Sequence, residues 1–189
     1  MEQNTITDQL QELYDQMVAN EECGKDWENI PVAKEMLRLL NEITDDEDKD
    51  FAKELCEAVL EDSYIHESNT PRLLLGFMEY RQSLYEDPSP WEDDIHRLKR
   101  LLDPKVPENE KLDLMRQQHR LLYDPVQLTE AWEDCIYDVL KECAECFQGQ
   151  RRYRGQCFTI WAKKKEILEQ HGIMNWRSPK IMNPRVHFD

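Results

Sequence analysis

Glycine is scarce in this chain, with five residues in 189. Sheet-rich folds use glycine in hairpin turns, so the scarcity argues for helices. No stretch sustains the period-two alternation of a half-buried strand. Long hydrophobic runs are missing as well. The longest nearly unbroken one, Leu73-Leu74-Leu75-Gly76-Phe77-Met78, falls far short of the ~20 residues a membrane span needs. The start, Met1-Glu2-Gln3-Asn4, has neither the basic nor the apolar region of a secretory signal, and the expected location is cytoplasmic. Six cysteines (Cys23, Cys56, Cys135, Cys143, Cys146, Cys157) are too sparse for a disulfide framework at this length, so reduced thiols are expected. Nucleophile elbows, phosphate-binding loops, dinucleotide fingerprints and His-Glu-x-x-His zinc helices are all absent. No catalytic residue, metal ligand or cofactor is therefore assigned.

What the chain does have is acid. It carries 40 Asp+Glu against 24 Lys+Arg, a net charge of −16. Hydrophobic residues at 40% beside 34% charged residues suit a folded soluble protein rather than a disordered one. The length suits one domain, and a core of that size needs no covalent staples. The sign is unevenly spread. Residues 1–149 hold 37 acids and 15 bases, a net of −22, whereas residues 150–189 hold three acids and nine bases, a net of +6. An anionic body disfavours nucleic acid and acidic membrane surfaces and favours a cationic partner.

Apolar spacing and punctuation place eight helices. The first spans about Thr7 to Asn20, on Leu10, Leu13, Tyr14 and Met17, and is followed by a loop from Asn20 to Asn29. Pro31 opens the second. Asp45-Asp46-Glu47-Asp48 suits the positive end of the third, whose buried stripe is Phe51, Leu55, Cys56, Val59 and Leu60. Thr70-Pro71 opens a fourth that is apolar almost all round to about Tyr85, the mark of a central helix. Ser89 caps a fifth carrying Trp91, Ile95, Leu98 and Leu102, and Pro107 opens a sixth with Leu112, Met115, His119 and Leu122. Thr129 caps the longest, with Trp132, Ile136, Val139, Leu140, Cys143 and Phe147 on its face. The eighth runs from Gln156 to His171, where Gly172 stops it. Beyond it, Pro179 and Pro184 argue against a helix, while Trp176, Ile181, Met182, Val186 and Phe188 are too apolar for a free tail. The fold class is thus all-α: a single domain of about eight helices over residues 1–172, as an irregular bundle or stacked helical hairpins. Residues 173–189 form an extended segment packed back on it, with Trp176 and Phe188 at least partly buried.

The patterns that suggest chemistry have plainer explanations. Cys143-x-x-Cys146, with Cys135 upstream, resembles thiolate spacing for zinc. These cysteines share a stripe with Trp132, Ile136, Val139 and Phe147, however, where a thiol behaves as a small hydrophobe. Asp46, Asp48, Asp50 and Glu57 have the spacing of a calcium loop, but Phe51 stands where its glycine belongs, and an acidic helix start explains them. Asp93-x-x-His96 is a lone pair in the first turn of a helix, and bundle di-metal sites need more. Arg151-Arg152-Tyr153-Arg154, then Phe158, Trp161 and Lys163-Lys164-Lys165, mixes cations with aromatics as single-strand binders do. Docking of that basic end within the molecule is the simpler account.

The leading functional expectation is a non-enzymatic interaction or inhibitor-like module with an acidic surface for a basic protein. Its candidate contacts are Asp45, Asp46, Glu47, Asp48, Asp50, Glu92, Asp93 and Asp94, with Arg151, Arg152 and Arg154 as the basic candidates. One alternative is an enzyme or metal-binding bundle using carboxylates or Cys/His. The other is nucleic-acid binding through residues 151–165.

Overall fold

The computed structural model describes residues 5–62, 64–84, 90–118, 120–151 and 153–188, with the backbone alone at Glu47. Among them the chain is all-α, with nine α-helices, two short 3-10 turns and no strand. No helix there is long and apolar enough to cross a membrane. The residues gather into two compact units, Met1–Lys99 and Arg100–Asp189.

The first unit holds α1 (Ile6–Glu22), α2 (Asn29–Leu40), α3 (Asp46–Glu61), α4 (Pro71–Ser83) and most of α5 (Glu92–Leu102). Helix α1 begins one residue earlier than its apolar spacing suggests, because Thr5 and Asp8 form a reciprocal capping box. The Thr5 Oγ1 accepts from the Asp8 amide at 3.2 Å and the Asp8 carboxylate accepts from the Thr5 amide at 3.0 Å. Two orphan amides of the first turn are satisfied that way. Helix α1 packs on α2 and α3, and α4 packs on the same two. Leu10, Met17, Ala33, Met36, Leu40, Cys56, Val59 and Phe77 are fully buried between them. Gly76 marks the tightest approach: a Cβ there would lie 2.6 Å from Leu37 Cδ2. That contact explains a glycine inside a helix, where it otherwise costs about 1 kcal/mol relative to alanine.

Four details depart from the sequence reading. Phe51 and Leu60 are only half-buried, and Ala52 takes the central place on α3. Leu101 rather than Leu102 faces the core. Helix α4 buries Leu73, Leu74, Phe77 and Met78, but the same face carries Arg81, which is fully buried. Thr70 stands at the N-cap of α4 without its side chain capping the helix. The expected cap Ser89, the helix end at Tyr85 and His119 lie outside the described residues.

The second unit holds α6 (Glu108–Arg116), a 3-10 turn (Pro125–Leu128), α7 (Glu130–Phe147), α8 (Gln156–Gln170) and α9 (Pro179–Met182). Thr129 Oγ1 caps α7 by accepting from the Trp132 amide at 3.3 Å. Helix α7 packs along α8, with the 3-10 turn against α6 and α7. Gly172 ends α8 at φ 85°. The Gly172 amide donates to Glu169 and the Ile173 amide to Leu168, at 3.1 and 2.8 Å, a Schellman stop that returns the chain toward α7.

Residues 173–188 then pack within this unit. Trp176 is buried and Phe188 half-buried. The Asn183 side chain donates to the Leu122 carbonyl at 2.8 Å and accepts from the Leu122 amide at 2.9 Å. The segment is not extended throughout: Pro179 starts the one-turn helix α9. The two prolines bracket that turn instead of blocking it, since the first helical position has no amide to lose.

Candidate functional site

The first acidic cluster sits at the start of α3. Asp45, Asp46 and Asp50 are exposed, Asp48 is half-buried, and the Glu47 side chain lies outside what is described. Because these residues are helical from Asp46 onward, carboxylates two positions apart point ~200° apart around the axis. Asp48 thus points away from Asp46 and Asp50, and Glu57 lies about three turns further along, so the four cannot converge on one ion and the calcium-like spacing has no structural counterpart. Lys49 Nζ lies 2.6 Å from Asp46 Oδ1 and, by hydrogen bonding, holds that carboxyl below its ordinary range.

The second cluster is more committed. Asp93 is exposed, Glu92 lies 3.9 Å from His96 Nε2, and Asp94 accepts from the Arg97 Nε and Nη2 at 3.3 and 3.2 Å. Arg97 is itself nearly buried and donates to both oxygens of Glu67, at 3.0 and 2.6 Å. That planar fork is the geometry a guanidinium matches best. Asp94 is therefore part of an internal ion network. Arg81, fully buried on α4, pairs with Glu57 of α3 and lies 5.8 Å from the Trp91 ring centroid. Burial lowers its pKa.

The basic candidates lie in the second unit. Arg151 and Arg154 are exposed, and Arg152 lies outside the described residues. Tyr153 and Phe158 are 54% and 45% exposed. The Tyr153 hydroxyl is 2.9 Å from Thr159 Oγ1. Phe158, Trp161 and Phe188 meet edge-to-face at 5.4 and 5.1 Å. Most of the surrounding cations are engaged. Lys163 pairs with Glu166 at 2.9 Å, and Lys180 donates to the Pro184 and Val186 carbonyls at 2.9 and 2.8 Å. Arg177 donates from its backbone amide, Nε and Nη2 to the buried Asp124 and reaches Glu108 at 2.8 Å.

Lys164 is the residue that sequence reasoning missed. The run Lys163-Lys164-Lys165 reads as one patch, yet each lysine meets a different fate. Lys165 is exposed. The Lys164 ammonium lies 5.1 Å from the Trp132 ring centroid and 5.5 Å from that of Trp176. The two indoles pack at 6.4 Å with planes 30° apart, and the Trp176 Nε1 donates to Gln127 at 3.1 Å. The ring faces attract the cation, but burial strips its water and brings its pKa down to about 8. The available signal was the i+3 spacing of Lys164 from Trp161 and from Ile167, which puts position 164 on an apolar face.

Burial holds the protons on Cys56, Cys135 and Cys143. Cys56 Sγ donates to the Phe77 carbonyl at 3.3 Å, and burial pushes its pKa up to about 12. Burial raises Cys135 and Cys143 as well. Cys143 is buried, Cys135 half-buried and Cys146 exposed, so the three do not share one site. Among the described residues no three His, Cys, Asp or Glu side chains gather where one ion could bind.

One small cavity, about 10 Å³, lies in the first unit among Asp26, Trp27, Asn29, Tyr64, His66 and Thr70. It has room for about one water-sized atom. Two buried side-chain donors of its lining residues, the Trp27 Nε1 and the Asn29 Nδ2, have no acceptor among the described residues. The Asn29 Oδ1 accepts from Asn20 at 3.0 Å, and Asn29 is 1% exposed. An unpaired buried donor costs about 1–3 kcal/mol. No family model matches this chain, and neither a curated protein nor a solved structure shows significant similarity to it.

Proposed function

We propose that the chain is a non-enzymatic interaction module whose first unit receives a basic protein. The supporting observation is the partition of charge. Residues 1–99 hold 26 acids and nine bases, a net of −17, while residues 100–189 hold 14 acids and 15 bases, a net of +1. Within the first unit, Arg38, Lys49, Arg81, Arg97 and Lys99 are already paired with carboxylates. Asp45, Asp46, Asp50 and Asp93 are exposed to solvent. A surface of that sign accelerates encounter with a cationic partner.

The pairing of Arg177 with the buried Asp124 and of Lys180 with backbone carbonyls counts against nucleic acid as the ligand, because those cations are not available to phosphates. Capture of partners from lysate at ~50 mM and ~500 mM salt tests the reading, since screening shortens the reach of surface charge over this range. Retention at low salt with loss at high salt is expected. Joint reversal of Asp45, Asp46, Asp48 and Asp50 to lysine should slow association by about tenfold. A set of bound proteins indifferent to both changes would end the proposal.

A further inference from the structure

Three lysines stand in a row on α8, and the fold gives each a different setting. Lys163 is paired with Glu166 at 2.9 Å, and Lys165 is exposed. Lys164 is half-buried, its nitrogen 5.1 Å from the Trp132 ring of α7 and 5.5 Å from the Trp176 ring of the C-terminal segment. We infer that Lys164 is a site of covalent acylation, an amine that takes a short acyl group from a small thioester. Among the described residues no carboxylate pairs with it. The titratable groups that act on it are the Cys135 and Cys143 thiols of α7, and burial keeps both protonated. Ring faces attract a cation, but they replace only part of its lost water, so the neutral amine gains at the expense of the ammonium. A desolvated lysine is nucleophilic near neutral pH for that reason. The amine is also within reach. No hydrogen bond of the described residues engages its nitrogen, yet that nitrogen is not one of the partnerless polar atoms sealed from solvent. In the reaction the neutral Nζ attacks the thioester carbonyl carbon and the C–S bond breaks. The thiolate leaves and takes up the proton that the amine gives up, so an amide and a thiol result with no change of oxidation state. The amide is uncharged and suits the indole walls better than the ammonium it replaces.

The test incubates the folded full chain with S-acetyl-N-acetylcysteamine and follows acetylation of Lys163, Lys164 and Lys165 by peptide mass spectrometry. At about pH 7.5 an ordinary lysine holds roughly 0.1% free amine, whereas one that titrates at about 8 holds about a quarter. Lys164 should then react more than about tenfold faster than Lys165. At about pH 10.5 both are largely neutral, and the preference should shrink to within about threefold. In concentrated urea the three lysines should react alike at either pH, because the preference belongs to the fold. Trp176→Ala removes one wall beside the amine and admits water, so the preference near neutral pH should fall in that variant. Reaction of Lys164 at the rate of Lys165 or slower near neutral pH would overturn the inference. A preference that persists in urea would overturn it too, as would one that does not narrow as the pH rises or that survives intact in a folded Trp176→Ala chain. If that variant does not fold, the parent chain in buffer and in urea decides the matter by itself.

Discussion

The two units handle charge and apolar surface in opposite ways. The first is strongly anionic, and its polar interior is built from buried guanidinium–carboxylate networks at Arg81 and Arg97. The second is almost neutral, and several of its cations are held by its own groups: Lys164 by two indoles, Arg177 by Asp124 and Glu108, Lys180 by the Pro184 and Val186 carbonyls. The second unit also carries every large apolar side chain found exposed among the described residues: Leu121, Tyr153, Phe158, Met174 and Ile181. Charge along the chain suggests an acidic body with a basic tail. The fold shows instead that α7, with its acids, packs on α8, with its cations, so the tail is neutralised inside its own unit. A sign change along a sequence is thus a poor guide to a surface patch until the elements carrying each sign are known not to be neighbours.

The sharpest ways to break this contrast remove what each unit has inside. Trp132→Ala should cost about 3–5 kcal/mol in chemical denaturation, because it deletes a fully buried indole and one wall around Lys164. A loss below ~1.5 kcal/mol would mean that the indole pair is not the centre of the second unit. In the first unit, Glu57→Gln leaves the Arg81 guanidinium buried without its carboxylate. A cost of about 2–3 kcal/mol is expected, below the 3–5 of a fully buried pair because Glu57 retains 31% of its side-chain exposure. Arg81→Met should cost less than Glu57→Gln, since a buried ion pair is often no better than well-packed apolar atoms. The reverse order would show that Arg81 supports the core by attraction rather than by filling space.

Asp124→Asn tests what ties down the C-terminal segment. Asp124 accepts three donors from Arg177, and losing its charge should cost about 2 kcal/mol. Faster hydrogen exchange is expected at residues 173–188, and unchanged exchange there would place the anchor elsewhere. The smallest effect is also the most specific. The Lys164 ammonium titrates at about 8 in the folded chain and near 10.4 when unfolded. The unfolded state therefore binds more protons between these values, and stability rises with pH through that window. The penalty for protonation is fully present below pH 8 and gone above about 10.5. Measured against Lys164→Met, which cannot titrate, the parent protein should gain about 1–2 kcal/mol from pH 7.5 to 10.5. Each tenfold change in proton affinity is worth ~1.4 kcal/mol, so about two such factors set a ceiling of ~3 kcal/mol, and the gain stays under it because the half-buried side chain keeps part of its hydration. A flat difference would mean that the two indoles fully compensate for the lost water.

Local signals were legible in the sequence. A period of 3.6 residues located α1 through α8, Thr129 marked the start of α7, and Gly172 marked the end of α8, because caps, turns and amphipathic stripes depend on residues within one or two turns of each other. Net charge and the absence of long apolar runs belong to composition and needed no fold. Packing alone decided the rest. Trp132 and Trp176 enclose Lys164, Arg81 finds Glu57, and Trp27 and Asn29 come beside residues 64–73 only because segments distant in sequence lie together. Such pairings leave no periodic trace, since the energy of a buried cation or an unpaired donor depends on which side chains surround it and how much water they exclude.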